Sequence, residues 1–397
     1  MRRLFLAWPV AAAVGLVACG QAGAPPAAPA VTTQPASASR RPPPTPPPPT
    51  PSPSQSPAEA ALAAMTLEQK AGQLVMAPLL ADADAAAFAA QAAERQVGAV
   101  LLLGNGWDSA AKVEAAAAAV DQAAPGPVRL WIAADQEGGQ VQRLTGTGFE
   151  TIPDGVEQGR MTPEALTAAA TVWGRQLAAA GVNLNLAPVV DTVDPASRAA
   201  NAPIGALDRD YGLDAAGNAE HAKAFVAGMA AGGVGAAIKH FPGLGQVTGN
   251  TDFTSKGIED GVTGPDSESV EAFKAAIAAE PAMVMVSLAT YSRIDPSAPA
   301  AFSPAVVNDL LRGRLGWRGV VVSDSLTAAA VGHVPLDQRV VAFVQAGGDL
   351  ACFGSSDDAW SALDALVAKA SADQAFAELV DQAAGRVLAA KTRAGLV

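Results

Sequence analysis

Eight times between Gly72 and Phe353 a short, apolar, β-prone run gives way to a longer alanine-rich segment. That alternation restricts the fold more than any other feature of the chain. The runs are GQLVMAPL from Gly72, VGAVLLL from Val97, RLWIAAD from Arg129, GVNLNLAPVVD from Gly181, GVGAAIKH from Gly233, AMVMVSL from Ala282, GVVVSD from Gly319 and GGDLACF from Gly347. The segments between them, such as 162–180 and 213–232, read as amphipathic helices. Strands that are apolar on both faces belong in a parallel sheet covered by helices. Eight such units in about 340 residues predict an α/β chain folded as a (β/α)8 TIM-type barrel with some long loops. A doubly wound open sheet has the same local pattern. No G-x-G-x-x-G or G-x-x-x-x-G-K-[ST] follows an early strand, which weakens its nucleotide-binding version.

The runs end in polar residues: Asp135 after the third, Asp191 after the fourth, Lys239 and His240 in the fifth, Ser287 in the sixth and Asp324 after the seventh. A single Asp after a strand is commonly a helix N-cap. Five polar endings are better explained by one pocket at the C-terminal ends of the strands, where barrel enzymes build their sites. No His/Cys/Asp spacing resembles a metal site, and no cofactor is expected. Cys352 reads as a buried strand residue, and His221 in AEHAKAF is expected on an exposed helix face.

The 397 residues are 50% hydrophobic and 16% charged, enough for a large core, but the N-terminus does not belong to it. Arg2 and Arg3 precede an apolar run, Leu4 to Ala18, that is too short to span a bilayer comfortably and is flanked like a secretory signal. It ends in LVACG, which resembles a bacterial lipobox, with cleavage before Cys19 and lipidation of its thiol. An ordinary signal peptide with an incidental cysteine is the alternative. Acyl chains on Cys19 anchor strongly, at about 0.8 kcal/mol per buried CH₂. The following segment is proline-rich, so it forms neither helix nor central strand. At about 3.1 Å per residue it is expected to be an extended tether reaching up to roughly 100 Å, with plain disorder as the alternative. The expected organisation is therefore a signal at 1–18, a lipidated cysteine and linker at 19–57, and the barrel at 58–397. The exported protein would sit on the outer face of the cytoplasmic membrane. A net charge of −12 argues against nucleic acid as a partner. A monomer is the expected state.

Several motifs resemble those of glycoside hydrolase family 3, in particular its single-barrel β-N-acetylglucosaminidase (β-N-acetylhexosaminidase) branch. AADQEGGQVQRL, Ala133 to Leu144, is similar to the sugar-binding D-x-E-G-G-R-V-Q-R of that family, with Gln140 in place of its first arginine. NAPIGALDRDYG, Asn201 to Gly212, resembles the loop whose arginine holds the sugar, here Arg209. KHFPG matches at every position, and GWRGVVVSDSLTAAAV, Gly316 to Val331, is similar to the nucleophile motif. The resemblance covers nearly all of 58–397, in the expected order. It implies a retaining hydrolase that removes terminal β-linked N-acetylglucosamine. Asp324 would be its nucleophile, and Asp135, Arg143, Arg209, Lys239 and His240 its sugar ligands. Retaining cleavage needs a carboxylate to attack the anomeric carbon and an acid to protonate the leaving oxygen. Tethering near a cell wall makes peptidoglycan fragments the expected source of substrate.

One departure bears on the chemistry. Where the family has H-G, four residues and D-S-H, whose histidine is the acid/base, this chain has Leu244-Gly245, four residues and Asn250-Thr251-Asp252. The loop length is kept, while both histidines and the aspartate beside the second are gone. Asp252 is the expected replacement acid/base, with its pKa raised by burial and by Asp324. His333, in the loop after the seventh strand, is a second candidate donor. The third reading is a sugar-binding surface lipoprotein with impaired catalysis.

Overall fold

A computed structural model describes residues 55–124 and 126–397 together with Pro29, Ala30 and Thr32. The expected signal segment, Cys19 and nearly all of the linker lie outside the described residues.

Each of the eight apolar runs supplies one strand: β1 (Val75–Leu80), β2 (Ala99–Leu103), β3 (Trp131–Ala134), β4 (Leu184–Asn185), β5 (Gly235–Phe241), β6 (Met283–Val286), β7 (Val320–Ser323) and β8 (Ala351–Cys352). They lie in the order β7-β6-β5-β4-β3-β2-β1-β8, every pairing within this sheet parallel. A parallel bridge between Val322 and Leu350 closes the ring. The fold is the predicted barrel, not the open sheet.

Side chains that point into the barrel, among them Met76, Leu101, Trp131, Leu184, Met283 and Val322, form one apolar cluster. Val387 and Ala390 of the helix Gln374–Arg393, with Leu396 beyond it, join the same cluster. Leu396 O accepts from Arg129 N at 2.8 Å just before β3, and Lys391 Nζ donates to Gln73 Oε1 at 2.7 Å just before β1. The last helix therefore plugs the N-terminal end of the barrel and leaves the C-terminal end for a site. Fully buried Asp349 ties this plug down, accepting from Arg312 at 2.6 Å and Arg386 at 2.7 Å.

The outer helices begin at residues suited to begin them. Thr162 accepts from Ala165 N at 3.2 Å, with Pro163 in the first turn, and Asp214 accepts from Gly217 N at 2.8 Å. The helices they open, Pro163–Ala179 and Ala215–Ala231, pack so closely that a Cβ on Gly228 would lie 2.6 Å from Thr167 O. Alanine and glycine allow that approach, and they also conceal what the second helix does. It is buried around most of its circumference, between Pro163–Ala179 and Glu268–Ile277, not along a single stripe. His221 accordingly is buried, not exposed as expected from the sequence. Its ring nitrogens lie 2.9 Å from Gly217 O and 3.0 Å from Met161 O.

Candidate active site

The loops at the C-terminal end of the barrel surround a cavity of about 460 Å³. Asp135, Arg143, Arg209, Lys239, His240, Asp252 and Asp324 all line it, so the seven pocket residues singled out in the sequence meet in one place.

The chain leaving β3 supplies the first wall. A hairpin of Gln136–Gly138 and Val141–Gln142 is held by the Gln136 amide, which donates to Leu144 O at 2.8 Å and accepts from Leu144 N at 3.0 Å. This fixes Asp135 and Glu137 opposite Lys239 of β5. Lys239 Nζ lies 2.7 Å from Asp135 Oδ1 and 2.6 Å from Glu137 Oε1. The Arg209 guanidinium forks onto Glu137 at 2.8 and 2.7 Å, the bidentate geometry its planar donors favour. Burial alone would raise the Glu137 pKa. The charges of Arg209 and Lys239 outweigh it and hold the carboxyl well below the usual carboxylate range. Burial works against the Lys239 ammonium too, and Asp135 with Glu137 more than restores its proton. The wall is thus a lattice of four charges, and Arg143 stands beside it with a buried Nε that has no acceptor among the described residues.

His240 is oriented from behind. Asp191, fully buried, accepts from His240 Nδ1 at 2.7 Å and from the backbone N–H groups of His240 and Leu244 at 3.2 and 2.8 Å. Nε2 is left on the pocket side, 3.4 Å from Arg209 Nη2. Two polar endings expected in the shared pocket therefore lie outside its lining. Asp191 acts beneath His240, and Ser287 is buried with Oγ 2.8 Å from the Tyr291 hydroxyl, which itself donates to Gly243 O at 2.8 Å. Gly243 sits at φ +130, and a Cβ there would lie 2.1 Å from Ser269 Oγ, so KHFPG needs glycine at its last position.

The two remaining carboxylates line the same cavity from the loops after β5 and β7. Asp324 follows β7, half-buried, with Oδ1 accepting from Ser325 N at 2.8 Å. Asp252 lies in the loop after β5. Its N–H donates to Asn250 Oδ1 at 3.0 Å, an Asx turn that sets the loop's course. The carbonyls of Thr251 and Asp252 accept from Ala330 N at 3.0 Å and Ala329 N at 3.2 Å, seating the loop on the one that follows Asp324. Burial against the pocket wall and the charge of Asp324 push the Asp252 carboxyl up to about 6, against the pull of Arg209 and His240. Asp252 is nonetheless exposed to solvent where it lines the cavity, so the charge of Asp324 is the firmer of the two causes. His333 is exposed and does not line the cavity.

Three residues of the site escaped the sequence reading. Glu137 is the third letter of the DQE motif, and its signal was the motif itself: a second carboxylate two residues from Asp135 with no apolar role. Cys352 is on the pocket floor, its thiol pushed up in pKa by burial and so unreactive. Phe253, next to Asp252, lines the pocket while 81% exposed.

The family model described as Glycosyl hydrolase family 3 N terminal domain matches residues 66–390, nearly the whole barrel. The chain belongs to glycosyl hydrolase family 3. Among solved structures, a β-N-acetylhexosaminidase from Beutenbergia cavernae is 50% identical. The match has a TM-score of 0.78 and covers 83% of this chain and 99% of that one. A family 3 β-N-acetylglucosaminidase from Paenibacillus sp. is 31% identical, with a TM-score of 0.73, covering 84% of this chain and 63% of that one. A curated β-hexosaminidase from Xylella fastidiosa is 37% identical over 263 residues, 64% of this chain and 74% of the relative. Within a family 3 hydrolase the geometry separates two tasks. The charged lattice around Glu137 offers donors and acceptors to the hydroxyls of a neutral sugar, and the Asp252–Asp324 pair is available for proton transfer and covalent chemistry.

Proposed function

We propose that this family 3 hydrolase removes terminal β-linked N-acetylglucosamine with retention of configuration, with Asp324 as nucleophile and Asp252 as acid/base. The observation that carries the reading is the meeting of these two carboxylates in one pocket that Asp135, Arg143, Arg209, Lys239 and His240 also line. The 50%-identical β-N-acetylhexosaminidase supports the choice of sugar. Asp135, Arg143, Lys239 and His240 fix the ring by hydrogen bonds, while Glu137 holds Arg209 and Lys239 in place from behind. Fixing the ring is where much of the rate enhancement arises. Asp324 attacks the anomeric carbon as the glycosidic bond breaks, and protonated Asp252 delivers its proton to the leaving oxygen. In the second half the Asp252 carboxylate takes a proton from water, which attacks the anomeric carbon and releases Asp324.

In this reading the chain is an exported lipoprotein anchored through Cys19, and peptidoglycan fragments are the substrate source. The lipobox-like LVACG and the proline-rich segment support it. Turnover of a fluorogenic β-N-acetylglucosaminide by the full chain and by Asp324→Ala, with the β-glucoside as control, tests the activity. Hydrolysis of the first substrate alone, abolished in the variant, is expected. A folded protein that binds the sugar but turns over neither substrate would refute the reading in favour of a sugar-binding lipoprotein.

A further inference from the structure

Among the described residues Phe253 is the most exposed large hydrophobic side chain, at 81% against 57% for the next, Val262. The loop gives it no route to the core. Thr251, two residues earlier, is 2% exposed and anchored through its carbonyl to Ala330 N, and Phe253 N itself donates to Asn250 O at 3.1 Å. The ring therefore stands at the mouth of the cavity, which it lines together with Asn250, Asp252 and Thr327.

Its place in the chain decides what passes over it. A group that protonates the leaving oxygen must lie within hydrogen-bond reach of that oxygen. Whatever is bonded to the oxygen on its far side then lies just outside Asp252, at the pocket mouth, where Phe253 is the next residue. A β-linked pyranose presents a face of C–H groups there, and an aromatic ring complements such a face while leaving the hydroxyls in water.

We propose that Phe253 is the stacking platform for the pyranose on the leaving-group side of the scissile bond, so that the enzyme selects an oligosaccharide over a glycoside of a small alcohol. The inference rests on the reading of Asp252 as proton donor. It assigns Phe253 to specificity and not to bond cleavage.

The test compares the β-1,4-linked disaccharide of N-acetylglucosamine with methyl β-N-acetylglucosaminide, in wild type, Phe253→Ala and Phe253→Trp. Reading each variant against wild type cancels the intrinsic difference between the substrates. A lost ring contact corresponds to about a fivefold to tenfold fall in the ratio of kcat/KM for disaccharide over methyl glycoside in Phe253→Ala, carried by KM. Phe253→Trp should hold or raise the ratio, and its additional indole emission should shift on adding disaccharide. A ratio unchanged in Phe253→Ala, or a loss equal for both substrates, would overturn the proposal. If wild type turns over neither substrate, the hydrolase reading fails separately. The indole titration still decides the platform: an emission indifferent to disaccharide would refute it.

Discussion

Replacing Asp252 with Ala should divide substrates by their leaving groups. Its carboxyl is raised from 3.8 to about 6 by burial and by the charge of Asp324. Only the protonated form can act as acid. A carboxyl near 6 keeps a far larger protonated fraction at neutral pH than an unperturbed one, so the environment enriches the working form. The sign follows: kcat/KM for a substrate with a poor leaving group should fall as pH rises through about 6, because the proton is lost. The loss in Asp252→Ala should be about 10²–10⁴-fold for the disaccharide, the usual range for general acid/base assistance, and much smaller for an aryl glycoside in the first, bond-breaking half. The assay is a pH profile from 4.5 to 8.5 on both substrates, with about half-unit steps to resolve a single titration. A descending limb near 6 that persists in Asp252→Ala, or equal losses on both substrates, would refute the assignment.

Glu137→Gln should destabilise the fold by about 3–5 kcal/mol in chemical denaturation, since it leaves Arg209 and Lys239 buried without their shared partner. The folded-state pKa of Glu137 is depressed, so its stabilisation is present above its ordinary value of 4.5 and lost as pH falls toward the folded value. The wild-type stability curve should therefore fall more steeply below 4.5 than the variant's. Gly243→Ala should cost about 1–3 kcal/mol in the same measurement and raise KM, because φ +130 and the 2.1 Å approach to Ser269 Oγ force KHFPG to shift beneath His240. Stability and KM both unchanged would show that the loop accommodates a side chain.

The barrel was legible because its strands are buried on both faces, and such runs stand out against alanine-rich surroundings. All eight strands coincide with runs read from the sequence, although β4 and β8 retain only two residues of ladder each. The surroundings of His221 were not legible. A helix of alanine and glycine has little contrast between its faces, and only the neighbouring helices show that it is enclosed. The C-terminal strand ends located the site but not the direction in which each side chain points. Asp135 and Asp191 look alike in sequence, yet one reaches Lys239 in the pocket and the other turns beneath His240 to meet its ring and the backbone N–H of Leu244 in the loop that follows. That choice is made by contacts about 49 and 104 residues apart along the chain, which no local pattern carries. The Asn250-Thr251-Asp252 substitution was visible as a departure. What was not visible is that the loop seats Asp252 against the segment following Asp324.

In the proposed reaction Asp324 becomes covalently attached to the sugar while Asp252 handles the proton. The most direct measurement is intact-mass and peptide-mapping spectrometry of Asp252→Ala, acid-quenched during turnover of an activated aryl β-N-acetylglucosaminide. The aryl group departs without an acid, while attack by water lacks its base, so the intermediate should accumulate. A mass increase of one N-acetylhexosaminyl group, mapped to Asp324, is the predicted result. Continued turnover with the adduct on another residue, or with none at all, would contradict it.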